Sequence, residues 1–353
     1  MANRNRVTIK YIAEKAGVSY ATASLALSGK GRLSEATRKK ILDIASTLGY
    51  SVDERPVSNI PLIAFVDASS HMGGFYMSLI EGVIDKLKEY NYAVILDICG
   101  EIGPDKTSER KQRLESVCRN YEGALILSHW GVTVEEILCF LDNKKPFIVL
   151  DGSIYGFERN YVTVDHYQGA FEAVEYLIQA GHRDIAHISG PQKHEHAKLR
   201  LKAYIDALKK HSIPVREEYI VEGDYHKKSG IQAMEKLLNL KSVPSAVFVA
   251  NDNMAITAMQ VAKERGYHIP QDISFIGFDD IQATELSEPP LTTVRQPLYN
   301  VGREGAGMLI ELLESGNLLI EPRVLKAELI VRNSTCSPSE TSLDKCGGGI
   351  KYK

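Results

Sequence analysis

Residues Val7–Tyr50 read VTIKYIAEKAGVSYATASLALSGKGRLSEATRKKILDIASTLGY, and their spacing defines a first folded unit. Ile9, Ile12, Ala13 and Ala16 recur at i, i+3, i+4 and i+7, the period of a helix with one apolar face, and Thr8 stands where its N-cap belongs. Gly17-Val18 interrupts the period, Ser19 caps a second helix at Tyr20–Leu27, and Gly29 and Gly31 end it. Ser34 opens a third helix with Ile41, Leu42, Ala45 and Leu48 on one side, closed by Gly49. Two helices joined by a tight glycine turn and backed by a third make a helix-turn-helix. Pattern alone also admits a generic three-helix bundle with a charged face in water.

A helix advances by roughly 100° per residue, so Ala23, Ala26 and Leu27 turn inward from Tyr20–Leu27 while Ala21, Ser24 and Leu25 face the opposite way. Tyr20 falls at the edge. A helix presented in this manner suits the major groove, where side chains meet base edges. Arg4, Arg6, Lys10, Lys30, Arg32, Arg38, Lys39 and Lys40 are available for phosphates, which add affinity without reading sequence. The expected DNA contacts are Thr8, Lys10, Ser19, Tyr20, Ala21, Thr22, Ser24, Leu25, Lys30 and Arg32.

Charge is divided in the same way. The net charge of the chain is −3, yet residues 1–50 carry nine Lys/Arg against three Asp/Glu, leaving −9 for the rest. A basic head on an acidic body implies that only the head meets a polyanion. The 353 residues, 44% hydrophobic and 25% charged, have the proportions of a multidomain globular protein. No run reaches the roughly 18 apolar residues of a membrane span, and the basic start has no apolar core of a secretory signal, so a cytoplasmic protein is expected. Five cysteines without CxxC spacing read as reduced thiols.

Residues 51–60 hold Asp53, Glu54 and Pro56 and read as a linker. Beyond them apolar runs of strand length recur: PLIAFVD, YAVILDI, GALILS, PFIVLD, YVTVD, DIAHISG, YIVEGD, SAVFVAND and ISFIGFDD. Helix-period segments separate most of them, which means parallel sheets covered on both faces. The expected fold is therefore an all-α helix-turn-helix head plus an α/β body of two doubly wound parallel-sheet lobes. The first lobe is expected at about 61–162 and 292–322, the second at about 163–291 and 323–335, and residues 336–353 as a polar, disordered tail.

The head resembles the DNA-binding domain of the lactose-repressor (LacI/GalR) family of bacterial transcription regulators. The resemblance continues in VDHYQGAFEAVEYLIQAGHRDIAHISGP, AVFVANDNMAITAMQVAKERG, ISFIGFDDI and PPLTTVRQP, and so covers residues 7–335. It implies a body like a type I periplasmic binding protein, a homodimer on a near-palindromic operator, and a small effector that sets DNA affinity. The first-lobe surface after Phe75 would carry the dimer contact. The ending lacks leucine heptads for a tetramerising helix, so a dimer is favoured. Two departures stand out. Leu25 replaces an arginine common in the family, and the connector, SVDERPVSNIPL, is shorter than usual, with a proline and two acids that disfavour a hinge helix on DNA.

In open α/β sheets ligands bind at the carboxyl ends of strands, where Asp151, Asn251 and Asp279 fall; helix capping is the other reading of each. The resemblance assigns effector binding to Tyr76, Asp151, Arg200, Tyr225, Asn251 and Asp279, and implies a sugar or sugar derivative, with purines or nucleosides as the alternative. Gly73-Gly74, His166 and Leu298 depart from the family near that pocket. His194-Glu195-His196 has the wrong spacing for a metal site, and no cofactor is implied. No GxSxG, HExxH, Walker A or Rossmann signature is present, and GREGAG at 302–307 lies in a helical pattern, which argues against an enzyme. A free solute-binding protein is the remaining rival, and the basic head speaks against it.

Overall fold

The computed structural model describes residues 8–28, 33–50, 58–65, 75–99, 106–128 and 131–338. The chain divides into two compact units, Met1–Ser58 and Asn59–Lys353. The first contains α1 (Ile9–Ala16), α2 (Tyr20–Ser28) and α3 (Glu35–Thr47). Each begins on a hydroxyl that accepts an otherwise unpaired amide: Thr8 from Tyr11 at 3.2 Å, Ser19 from Thr22 at 3.1 Å and Ser34 from Thr37 at 3.1 Å. Gly17 ends α1 at φ 70°, which lets the Val18 amide return to the Ala13 carbonyl at 3.0 Å and turns the chain into α2. Ile12, Ala13, Ala16, Ala23, Ala26, Leu27, Ile41 and Ala45 form the core, small residues that let three short helices pack closely.

The second unit has two six-stranded sheets with the same winding. In the first lobe β1 (Ser58–Ala64), β2 (Tyr92–Ile98), β3 (Ala124–Leu127), β5 (Phe147–Leu150), β7 (Tyr161–Val164) and β13 (Arg323–Leu325) lie in the order β2-β1-β3-β5-β7-β13. Its helices are α4 (Phe75–Lys88), α5 (Thr107–Asn120), α6 (Val134–Asp142) and α12 (Leu298–Ser315), with a side ladder of β4 (Val132–Thr133) on β6 (Ile154–Tyr155). In the second lobe β8 (Ile185–Ser189), β9 (Ile220–Glu222), β10 (Ala246–Val249), β11 (Ser274–Asp279), β12 (Thr292–Arg295) and β14 (Glu328–Ile330) lie in the order β9-β8-β10-β11-β12-β14. Here the helices are α7 (His166–Gln179), α8 (Glu195–Lys210), α9 (Lys227–Leu238), α10 (Asp252–Glu264) and α11 (Ala283–Leu286). The ladders joining β1 to β13 and β9 to β12 are parallel; β14 joins β12 antiparallel. Every residue of β3, β5 and β10 is buried, the reason their sequences are apolar without alternation.

The lobe boundaries differ from the sequence expectation. Strand β12 stays in the second sheet, in register Ile276↔Thr292 with β11, and β13 belongs to the first, in register Arg323↔Val162 with β7. The chain therefore crosses between lobes at Asp165, at Gln296-Pro297 and at Lys326-Ala327, because each of these strands finds its backbone partner in the sheet it has not yet left. The linker also ends earlier than residue 60, since Ser58 already starts β1. The start of the expected tail is built into the second lobe: the Cys336 amide donates to Ser274 Oγ at 3.1 Å and its carbonyl meets His182 Nε2 at 2.8 Å. Cys99, Cys118, Cys139 and Cys336 are free thiols. Among the described residues no helix is long and apolar enough to cross a membrane. Arg4, Arg6, Lys30, Arg32, Asp53, Glu54, Pro56, Gly73, Gly74, Cys346 and the rest of the expected tail lie outside the described residues.

The glycines of the 302–307 segment serve helix packing. A Cβ on Gly302 would lie 2.0 Å from the Leu79 carbonyl oxygen of α4, and one on Gly82 would lie 2.1 Å from the Tyr299 oxygen of α12. The two backbones touch there, and neither can retreat without opening the first-lobe core. Gly302→Ala is expected to cost about 1–3 kcal/mol by overpacking, read as a lowered Tm; an unchanged Tm would contradict this contact.

Candidate functional site

On α2 the exposed side carries Ala21 and Leu25, Leu25 at 40% exposure, with Ser24, Thr22 and Tyr20 partly covered and Ala23, Ala26 and Leu27 buried. Lys10 is exposed on α1. The hydroxyls of Thr8 and Ser19 are occupied as caps, and Ser19 Oγ also lies 2.8 Å from Thr22 Oγ1. One terminal nitrogen of Arg38 reaches back to the Ala26 carbonyl at 3.2 Å and the Leu25 carbonyl at 3.4 Å, holding the last turn of α2. That bond fixes the C-terminal end of the presented helix against α3.

In the body Tyr76, Asp151, Arg200, Tyr225, Asn251 and Asp279 all line one cleft, together with Phe75, His194, His196 and Gln296. Each position follows from the winding. Asp151 follows β5, Asn251 closely follows β10 and Asp279 ends β11, all at carboxyl ends of parallel strands; Phe75 and Tyr76 start α4. Tyr76 and Asp151 come from the first lobe, and Arg200, Tyr225, Asn251 and Asp279 from the second. Three of these residues hold backbone conformations unusual for a side chain, at φ 53° for Asp151, 70° for Tyr225 and 125° for Asp279. Strain of this kind persists where surrounding structure enforces it, and it gathers at ligand sites.

The capping and cleft readings divide by residue. Asn251 is the N-cap of α10, its Oδ1 accepting from Met254 N at 3.0 Å, while its Nδ2 donates to the Tyr225 carbonyl at 3.0 Å. Asp151 and Asp279 cap no described helix. Asp151 hydrogen-bonds with the Tyr76 hydroxyl, and Asp279 Oδ1 accepts from Gln296 Nε2 at 2.7 Å. The Tyr225 ring lies flat enough against Gly190 that a Cβ there would come within 2.2 Å of it.

Arg200 is 4% exposed. One terminal nitrogen donates to the Ala250 carbonyl, the other lies 3.2 Å from His166 Nδ1, and the guanidinium carbon sits 3.7 Å from the Phe278 ring centre. A guanidinium only donates, so His166 Nδ1 accepts and the ring proton resides on Nε2. His166 thus supports Arg200 from the buried core and stacks on His196 with ring centres 3.9 Å apart. Leu298 packs in the first-lobe core and does not line the cleft.

Burial governs the charges. It pushes the carboxyl of Asp151 up to about 7, against the pull of Arg200, with Asp279 adding repulsion. Burial likewise holds Asp279 at about 7, opposed by Arg200 and by the Gln296 bond. Desolvation, aided by Arg200, lowers His196 to about 3, and desolvation and His196 hold His166 well below its usual range. Both imidazoles are neutral at pH 7. An acid raised in the folded state binds its proton more tightly there than when unfolded, so its stabilising share is complete below about 3.8 and is lost as pH rises through about 7. Asp151→Asn and Asp279→Asn should therefore raise Tm relative to wild type more at pH 8 than at pH 5; equal differences at both pH values would refute the shifts.

Asp151, His166 and His196 each offer a ligand atom within 4.8 Å of the others. The proton on His166 Nε2 and the neighbouring guanidinium favour a hydrogen-bonding ligand there over a cation. Phe75, His194, His196 and Gln296 went unrecognised as cleft residues from sequence. Gln296 carried a legible signal, since it ends the PPLTTVRQP motif at a crossing between lobes; the two histidines drew notice only for their spacing.

A helix-turn-helix with an exposed helix face on a basic head and a two-lobed body with a polar cleft fit a ligand-controlled DNA-binding regulator. The chain belongs to the LacI family of bacterial regulatory proteins. Residues 8–53 match the family model for bacterial regulatory proteins of the lacI family, and residues 174–335 match that for a periplasmic binding protein-like domain. It is 35% identical over 334 residues to the probable HTH-type transcriptional repressor ExuR of Bacillus subtilis, covering 93% of this chain and 98% of that protein. It is 32% identical over 338 residues to the HTH-type transcriptional repressor CytR of Escherichia coli, covering 93% and 96%. Among solved structures, a complex of the transcriptional regulator CelR with cellobiose superposes with a TM-score of 0.69 at 28% identity, over 93% of this chain and all of that one. The lac repressor dimer bound to operator and the anti-inducer ONPF gives 0.69 at 25% identity, over 94% and 100%.

Proposed function

We propose that this LacI-family transcriptional repressor reads its operator with α2, as a homodimer in the cytoplasm, and releases or tightens that hold when a sugar or sugar derivative fills the cleft. The observation that carries the reading is the cleft's composition: it takes Tyr76 and Asp151 from one lobe and Arg200, Tyr225, Asn251 and Asp279 from the other. A ligand touching both sets favours one lobe arrangement over another, and such a difference in affinity is what an allosteric switch requires. Carboxyls, an amide, a guanidinium and aromatic faces together suit adjacent hydroxyls on a ring with apolar C–H faces. The cleft works by binding. Met77 and Ile84 on α4 and Ile95, Leu96 and Ile98 on β2 leave apolar surface on the first lobe, which supports a dimer contact there.

The test is an electrophoretic mobility titration on selected operator DNA. Affinity should fall steeply with salt as phosphate counterions are released, and a cleft ligand found by thermal shift should change it at fixed salt. A protein that bound no duplex at low salt, with or without sugars, would overturn the reading.

A further inference from the structure

The guanidinium of Arg200 is a buried positive charge without an ion-pair partner among the described residues. Its contacts are the Ala250 carbonyl, the neutral His166 ring and the face of Phe278, and its Nε has no hydrogen-bond partner. Elsewhere buried or partly buried guanidinium groups do meet carboxylates: Arg110 meets Glu136 at 2.7 Å, and Arg332 meets Asp280, next to Asp279, at 2.7 Å. In the cleft the carboxylates are held by neutral groups instead, Asp151 by Tyr76 and Asp279 by Gln296. A desolvated charge is costly until an opposite charge is brought to it.

The other unpartnered atoms point the same way. His166 Nε2, which carries the ring proton, is buried without an acceptor, and Asp151 Oδ1 and Gln296 Oε1 are buried without a donor. In the cleft itself the Arg200 Nε donor awaits an acceptor group, and two acceptors await hydroxyls. We propose that the effector is a monoanionic saccharide, a sugar acid whose carboxylate pairs with Arg200 while its hydroxyls donate to Asp151 and Gln296. Arg200 is the one cationic side chain among the described cleft residues, which also include the imidazoles of His194 and His196 and the carboxyls of Asp151 and Asp279. One guanidinium matches one carboxylate; a phosphate ester dianion would leave a second charge facing two aspartates. Burial raises both acids to about 7, so each is partly protonated at neutral pH, which weakens the repulsion an anion meets there.

This inference rests on the cleft being the effector site. Calorimetric titration of the full chain with a panel of aldohexoses, their uronates and their 6-phosphates tests it. One uronate should bind at least tenfold more tightly than its parent hexose and its phosphate. Arg200→Gln should remove that preference and Arg200→Lys should retain part of it, with melting curves reporting that both variants fold. A hexose that binds as well as its uronate, a tighter phosphate ester, or a preference that survives Arg200→Gln overturns the sugar-acid assignment and leaves the cleft reading intact. If no saccharide of any class binds the folded wild type, both fall.

Discussion

Asp279→Ala is expected to lower effector affinity by about 10- to 150-fold, the range that follows from losing a hydrogen bond to a charged group worth roughly 1.5–3 kcal/mol. Operator binding by the ligand-free protein should not change. The side chain ends β11 inside the cleft, where Gln296 positions one carboxyl oxygen at 2.7 Å. Its removal takes away a ligand contact and frees Gln296, which sits on a crossing between lobes. The head is a separate compact unit, so its own packing is untouched. Calorimetry on the variant, paired with a mobility titration, separates the two effects. Unchanged effector affinity would mean that the cleft residues are assigned wrongly; lost basal operator binding would mean that Asp279 acts on the fold.

Leu25→Arg should move the preferred operator sequence. Leu25 stands on the exposed side of α2, its backbone carbonyl near Arg38 at 3.4 Å, so the substitution alters the presented surface without touching the core of Ile12, Ala23 and Ile41. A leucine can pack on a thymine methyl but cannot bond guanine, whereas arginine takes the O6 and N7 of guanine together, a discrimination of about 1–3 kcal/mol at that base pair. Operator selection with randomised duplexes should return a guanine enriched for the variant at one position per half-site. Identical selected sites for both proteins would remove Leu25 from the reading surface.

Much of this architecture was legible because local patterns and long-range packing agree. The caps Thr8, Ser19 and Ser34 each precede a helix-period run, and the buried side of α2 follows from rotation alone. The nine apolar runs each contain a strand; the central ones, such as β3, β5 and β10, are plain in sequence because a parallel strand covered on both faces has no polar residue to disguise it. The short strands β12, β13 and β14 were harder: Arg323–Leu325 and Glu328–Ile330 alternate weakly, lie at or near sheet edges and differ little from loop sequence.

Taken without coordinates, the chain determines a basic helix-turn-helix, nine core strands and the polar residues that end them, because these depend on neighbours within a few residues. Only tertiary structure decided which sheet owns β12 and β13, that Gly302 lets α12 touch α4, and that Arg200 is buried on a neutral histidine. Those features join segments tens to hundreds of residues apart. Backbone pairing, close helix approach and desolvation come from what meets in space, and no local period encodes that meeting.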